Sequence, residues 1–124
     1  MQRGIMIKRH DWKVKEVPDQ KIDLGFKKTF SNSDANKILC GHKPAEMEDK
    51  WFIYSEDSWV YFVRSWTGHY IFGIELSNNV QGEISVISSW VNGNNEIYRS
   101  QGRGRDIEVL NGIIISKFGV ETST

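Results

Sequence analysis

The residues best suited to chemistry in this 124-residue chain are concentrated in residues 64–68, Arg-Ser-Trp-Thr-Gly. A guanidinium binds phosphate or carboxylate through two parallel hydrogen bonds, and an indole face can stack on a nucleobase or a sugar. Hydroxyl groups beside a glycine backbone can hold an anion. These residue types together predict a site for a nucleotide-like ligand. The alternative is structural, with Arg64 paired to Glu48, Asp49 or Glu56 so that it closes the fold.

Candidates for acid–base catalysis are few. Glu48 and Asp49 lie just before residues 51–54, which are predicted below to form a strand. His69 directly follows residues 64–68, and histidine is a common general acid or base. The three histidines are scattered, and Cys40 is the single cysteine, so the spacing predicts no metal site. No cofactor fingerprint is present. The sequence favours a binding module over an enzyme.

A second candidate anion site is Gly102-Arg103-Gly104-Arg105, just before the last predicted helix. Glycine-rich backbone that leads into a helix N-terminus can receive a phosphate. The segment lacks the Lys-Ser/Thr ending of a phosphate-binding P-loop, and a solvated loop is the alternative. The binding hypothesis would be strengthened if the fold brought Arg103 or Arg105 near Arg64.

Composition limits the classes of partner. Lysine plus arginine and aspartate plus glutamate both number 16, so the net charge is zero, and we expect neither nucleic acid nor a membrane surface as a partner. A lone cysteine indicates a reducing, cytoplasmic setting. Uncharged apolar runs such as residues 59–63 and 112–115 are far shorter than the roughly 20 residues of a membrane span. We expect one soluble domain over residues 1–124.

The elements that must position these residues are predicted strands joined by short turns. Residues 51–54, 59–65, 70–76 and 83–91 are rich in apolar, aromatic and β-branched residues and are separated by short turns, which predicts an antiparallel meander of four or more strands. A further strand is predicted at residues 22–26, and an edge strand could form within residues 1–20. In residues 83–91 the alternation places Val86 and Trp90 on the same face.

Two helices complete the predicted fold. Residues 31–34 are N-cap types, the apolar spacing of Ala35, Ile38 and Leu39 is helical, and Gly41 supplies a stop. Apolar residues at spacings of three and four predict an amphipathic helix over residues 105–118, followed by a frayed tail at 120–124. The predicted class is α+β, with the C-terminal helix on one sheet face and the other face left to solvent, a ligand or a second subunit.

Both faces of the strand at residues 59–65 are apolar. Val60, Phe62 and Arg64 point one way, whereas Trp59, Tyr61, Val63 and Ser65 point the other. A strand that is apolar on both faces is normally buried on both. A well-filled core explains this pattern, and the alternatives are a homodimer interface or an aromatic-lined pocket that stacks on a ligand.

Three stretches, MEDKWF at residues 47–52, YFVRSWTG at 61–68 and VNGNNEIY at 91–98, carry a resemblance. Together with the C-terminal helix, they resemble a poorly characterised family of small bacterial and phage α+β domains with MEDRWF-, YFHRSWTG- and VNRDPEQY-like motifs. The resemblance covers about residues 38–118. Some members of that family occur with ADP-ribose-processing modules, so the resemblance implies a nucleotide or ADP-ribose-type ligand.

Carried over position by position, the family's motif falls on Glu48, Asp49, Trp51, Tyr61, Arg64, Ser65, Trp66, Thr67, Gly68, Asn92 and Tyr98. The family's histidine before Arg-Ser-Trp is Val63 here, and its Arg-Asp-Pro-Glu-Gln stretch is replaced at residues 93–97. The loss of that histidine favours binding over catalysis.

Three functional hypotheses follow. The first is a binding domain for a small phosphorylated ligand that uses an aromatic sheet face and Arg64. Its candidate ligand-binding residues are Trp51, Tyr61, Arg64, Ser65, Trp66, Thr67, Asn92, Tyr98, Arg103 and Arg105. The second is a structural or protein-interaction domain. The third is a hydrolase of a nucleotide or ADP-ribosyl bond with Glu48, Asp49 or His69 as acid or base.

Overall fold

Six antiparallel strands form one sheet in the computed structural model, which describes residues 6–78 and 82–120. The strands are β1 (Lys21–Asp23), β2 (Thr29–Phe30), β3 (Trp51–Glu56), β4 (Trp59–Arg64), β5 (Tyr70–Asn78) and β6 (Ile84–Asn92). Their order is β1-β6-β5-β4-β3, and β2 pairs with the other end of β6. The helices are α1 (Asn32–Cys40) and α2 (Arg103–Phe118). The predicted α+β class, the meander and the C-terminal helix are confirmed.

The helix ends follow their capping residues. The Ser31 hydroxyl accepts a hydrogen bond from the Asp34 amide at 3.1 Å, and Gly41 closes α1 with a φ of 86°. Gly119 ends α2 in the left-handed conformation. The predicted frayed tail is wrong at Val120, which is 1% exposed because it packs into the core beside α2. Residues 121–124 of that predicted tail lie outside the described residues.

The first sheet face carries the larger core. Ile53, Phe62 and Phe72 of the sheet pack there with Leu110 and Ile114 of α2, and each of these side chains is fully buried. Burying side chains of this size stabilises a fold by roughly 1.5–3 kcal/mol each before entropy is counted. The sheet and α2 therefore form the rigid frame behind residues 64–68.

The second sheet face is covered by residues 6–17, here named the N-terminal strap. The side chains of Ile7, Trp12, Val14 and Val17 pack on this face, and the Trp12 ring stacks on Phe52 with ring centroids 5.8 Å apart. The prediction that this face is left open is therefore wrong for the part beneath the strap. The predicted edge strand is not observed in residues 6–20, which contain a 3₁₀ turn at Arg9–Asp11 instead. The strap therefore packs across the face of the sheet with its apolar side chains and does not add a strand to the edge of the sheet.

Two bulges change which face a side chain reaches. Phe62 pairs with Phe72 but Val63 pairs with Tyr70, so Ile71 is an extra residue in β5. The register between β5 and β6 also shifts, because Glu75 pairs with Ser88 while Leu76 pairs with Val86. Val86 consequently packs in the first core and Trp90 in the second. The predicted strict alternation of residues 83–91 is wrong for this reason.

Candidate functional site

A groove of about 830 Å³ lies beside the turn between β4 and β5. Three segments supply its walls: the segment before β3, the turn after β4, and the segment after β6. The lining residues are Met47, Glu48, Lys50, Arg64, Trp66, Thr67, His69, Glu96 and Ile97. We call residues 64–68 the corner and this cavity the corner groove. The antiparallel meander brings these three segments to one end of the sheet, although up to about 50 residues separate them along the chain.

Arg64 lines the corner groove and has no ion-pair partner in the part of the chain that the structure describes. Its guanidinium lies over the Trp51 ring, 5.0 Å from the ring centroid, in a cation–π contact. The Nε atom of Arg64 is buried and has no hydrogen-bond partner within residues 6–78 and 82–120. The predicted structural alternative, in which Arg64 pairs with Glu48, Asp49 or Glu56, is not observed among the described residues.

Asp49 belongs to a separate, fully paired network. Its carboxylate contacts His42 Nε2 at 2.6 Å and Lys117 Nζ at 3.0 Å, and its side chain is 11% exposed. Burial alone would raise the pKa of this carboxyl, but the hydrogen bonds from Lys117 and His42 outweigh it and lower the pKa from 3.8 to about 2. Asp49 thus ties the segment before β3 to the ends of α1 and α2.

Ser65 makes three hydrogen bonds within the protein. Its amide donates to Lys50 O and its hydroxyl to Asp49 O, and its carbonyl accepts from Trp12 Nε1, each at 2.8 Å. The residue is buried. These contacts join the corner to the segment before β3 on one side and to the strap on the other, so Ser65 holds the corner in place.

Gly68 allows the strap to approach the corner. Its φ is 79°, and a Cβ atom there would lie 2.7 Å from the carbonyl oxygen of Lys13. The Lys15 amide donates to Gly68 O at 2.8 Å. A side chain at position 68 would therefore force the strap away from the corner.

Trp66 and Thr67 form the exposed part of the corner. Trp66 is 73% exposed, and its Nε1 donates to Met47 O at 2.8 Å, which fixes the position of the indole. The Thr67 hydroxyl accepts from the His69 amide at 3.2 Å. Trp66 offers an exposed aromatic surface beside Arg64 in the same groove.

Tyr61 and Trp51 are placed differently from Trp66. Tyr61 lies on the second sheet face among Tyr54, Tyr70 and Trp90, with its ring centroid 5.4 Å from that of Tyr70. Alternation along β4 separates it from Arg64, so the two side chains cannot contact one small ligand. Trp51 packs in the first core and lies beneath Arg64.

Asn92 and Tyr98 both make internal hydrogen bonds. Asn92 is buried, and its side-chain amide donates to Tyr70 O while its oxygen accepts from the Asn94 amide, each at 2.8 Å. The Tyr98 hydroxyl donates to Asp106 Oδ1 at 2.9 Å. Burial and this hydrogen bond raise the pKa of Tyr98 to about 12.

Asp106 is not among the residues predicted from the sequence to form a site. An acidic residue in the first turn of a helix is nevertheless a recognisable sign of a stabilising contact at the helix N-terminus. It is buried and accepts hydrogen bonds from Tyr98 and Ser100 at the start of α2. Arg103 and Arg105 are exposed and do not line the corner groove, and Arg105 pairs with Glu108 at 3.0 Å. Neither arginine therefore contributes to the corner groove that Arg64 lines.

A second groove of about 700 Å³ lies between the strap and the corner. We call it the strap groove. It is lined by residues 10–15 of the strap, including the exposed Lys13 and Lys15, and by residues 65–67 of the corner. Neither lysine is among the site residues predicted from the sequence, where residues 1–20 are a possible edge strand.

The corner groove also contains residues that could act as an acid or a base. Glu48, Lys50, His69 and Glu96 line it with Arg64, so both signs of charge are present. The hydrolase hypothesis therefore depends on Glu48 and His69, because Asp49 is held in its own network. Within residues 6–78 and 82–120, no three His, Cys, Asp or Glu side chains are grouped to hold a metal ion, and no helix is long and apolar enough to cross a membrane.

Comparison of the chain with protein-family models, with curated proteins and with solved structures finds no match.

Proposed function

We propose that this protein is a binding module for a small phosphorylated ligand of the nucleotide or ADP-ribose type, and that the ligand occupies the corner groove. Arg64 would bind a phosphoryl oxygen and Trp66 would stack on a ring of the ligand. The observation that supports this proposal best is the state of Arg64, which lines the groove and makes no ion pair among the described residues.

An anion in the corner groove would pair with the terminal nitrogens of Arg64, because the buried Nε is out of reach of the groove. A phosphoryl group matches the fork of donors on a guanidinium. Trp51 fixes the guanidinium from the other side through the cation–π contact. Arg64 is thus held in position before any ligand arrives, which limits the entropy lost on binding.

Trp66 supplies the second element of the proposed site. Stacking of a base on an aromatic side chain contributes roughly 1–3 kcal/mol. Its hydrogen bond to Met47 O restrains the indole, so little side-chain freedom remains to be lost. The volume of about 830 Å³ lies in the range typical of small-molecule sites. The aromatic sheet face around Tyr61 is not part of the proposed site.

The direct test is a panel of AMP, ADP, ADP-ribose and inorganic pyrophosphate, measured by thermal stabilisation and by calorimetric titration. We expect at least one of these ligands to raise the melting temperature, and Arg64→Ala to lower its affinity at least about tenfold. Arg64→Lys should lose part of the affinity because it keeps the charge and loses the fork. Lys27→Ala, which removes one exposed charge outside the groove, is the control. Absence of binding across the panel would refute the proposal.

A second candidate function is an interaction domain, favoured by two exposed apolar side chains. Met47 is 75% exposed and Trp66 is 73% exposed, and a hydrogen bond joins the two residues. A second copy of the chain could cover this pair, at a different place from the homodimer interface predicted on the sheet face. Sedimentation velocity should then give a dimer that the Met47→Ser, Trp66→Ser double variant disrupts. A monomer at every concentration tested would exclude this candidate.

A further inference from the structure

The indole of Trp66 borders two grooves. It lines both the corner groove and the strap groove, and Thr67 does the same. Because Trp66 is 73% exposed and is tied to Met47 O, it forms a fixed ridge between the two cavities. A ligand bound against this ridge can reach both grooves.

The strap groove has its own hydrogen-bonded frame. Trp12 Nε1 donates to Ser65 O and the Lys15 amide donates to Gly68 O, each at 2.8 Å. The space between strap and corner is therefore bounded by fixed backbone on both sides. The charged residues Asp11, Lys13 and Lys15 line this space from the strap side.

The charges on the strap groove favour an anion. Lys13 and Lys15 are exposed, and neither ammonium has an ion-pair partner within the described residues. The acidic residue on this groove is Asp11, whose carboxylate accepts a hydrogen bond from the Lys8 amide at 2.8 Å and lies 3.8 Å from His10. The lysines are thus free to contact a phosphoryl group.

We infer that the ligand carries two phosphoryl groups attached at separate positions, one bound by Arg64 in the corner groove and the other by Lys13 and Lys15 in the strap groove. A nucleoside 3′,5′-bisphosphate is the simplest molecule of this class, with its base against Trp66. This inference rests on the proposed function, because it assigns the first phosphoryl group to Arg64. It adds a second contact region on the strap.

The test compares three ligands in the adenine series and in the guanine series by calorimetric titration: the 5′-monophosphate, the 5′-diphosphate and the 3′,5′-bisphosphate. The last two carry the same number of phosphoryl groups and differ in where these are attached. We expect the bisphosphate to bind at least about tenfold more tightly than the diphosphate, because charge-assisted hydrogen bonds to a second phosphoryl group form only with separate attachment.

The variants locate the second phosphoryl group. The Lys13→Ala, Lys15→Ala double variant should weaken binding of the bisphosphate at least about fivefold more than binding of the monophosphate. Lys27→Ala is the matched control and should change neither affinity. Circular dichroism melting of each variant checks that the strap remains folded.

The outcomes separate the two proposals. Equal affinities for the bisphosphate and the diphosphate would overturn this inference and leave the proposed function intact. A tighter bisphosphate complex that the lysine double variant does not weaken would also overturn it, because the second phosphoryl group would then bind elsewhere. If no ligand of either series binds, the proposed function itself fails.

Discussion

The two sides of the corner differ in how their polar groups are satisfied. On the closed side, Asp49, Ser65 and Gly68 make hydrogen bonds and ion pairs within the protein at 2.6–3.0 Å. On the open side, Arg64 has no described carboxylate partner and Trp66 is largely exposed. Within the corner, Ser65 and Gly68 therefore stabilise the fold, whereas Arg64 and Trp66 line the corner groove.

This difference distinguishes groups that stabilise the protein from groups available to a ligand. Asp49 is ionised because it is paired, and breaking such a pair leaves an uncompensated charge. Arg64 has a cation–π contact, whose loss costs less. Substitutions on the closed side should therefore lower stability, whereas those on the open side should lower binding.

The largest expected effect on stability is that of Asp49→Ala. We expect the free energy of unfolding to fall by about 3 kcal/mol, because Lys117 and His42 lose their common carboxylate in a poorly exposed position. Urea denaturation measures this change. Glu46→Ala, an exposed acidic residue in the same segment, should stay within about 0.5 kcal/mol of the wild type. Equal values for the two variants would contradict the distinction between the two sides.

Gly68→Ala should be the next most destabilising change, at about 2 kcal/mol, because it combines left-handed backbone strain with a contact against Lys13 O. Gly25→Ala is the matched control. Gly25 has a φ of 68° with nothing within 4 Å of the added Cβ, so it reports the backbone strain alone, about 1 kcal/mol. Chemical denaturation gives the loss in free energy of unfolding for each variant, and the loss for Gly68→Ala minus that for Gly25→Ala is the contribution of the contact with the strap. A difference near zero would show that the strap moves aside without lowering stability.

Acid should remove the contribution of Asp49. Its folded-state pKa, about 2, lies below the ordinary value of 3.8, so the stabilisation is present above about pH 4 and is lost as the pH falls towards 2. The shift corresponds to about 2 kcal/mol. The stability difference between wild type and Asp49→Asn, followed by urea denaturation from pH 6 to pH 2.5, should shrink over this range. A difference that is independent of pH would contradict the assignment.

Arg64→Ala should have the smallest effect on stability, no more than about 1 kcal/mol, because it removes one cation–π contact over Trp51. The same variant should show the loss of ligand affinity expected above. Parallel urea denaturation and calorimetric titration separate the two readouts. A loss of stability as large as that of Asp49→Ala would place Arg64 on the closed side and favour the structural role.

Much of the fold could be predicted from local sequence signals. The caps at Ser31 and Gly41, the start of β3 at Trp51 and the helical spacing of α2 depend on contacts within a few residues, which the sequence displays directly. The strap could not be predicted, because an apolar, lysine-rich stretch can extend a sheet edge or lie across a sheet face. Ile87 is the extra residue where the pairing of β6 with β5 shifts, and such a bulge depends on packing between neighbouring strands. Strict alternation along residues 83–91 therefore predicted the wrong sheet face for Trp90 relative to Val86.

The sequence by itself determined the α+β class and identified the corner as the segment richest in anion-binding and stacking groups. Only the tertiary structure decided which of those groups are available. Hydrogen bonds to Asp49 and Trp12 occupy Ser65, alternation along β4 places Tyr61 on the other sheet face, and Asp49 is taken by Lys117 and His42. These partners lie far away along the chain, and such pairings are fixed by the packing of the whole domain rather than by local spacing. The packing of the whole domain likewise places Arg64 and Trp66 in the wall of the corner groove.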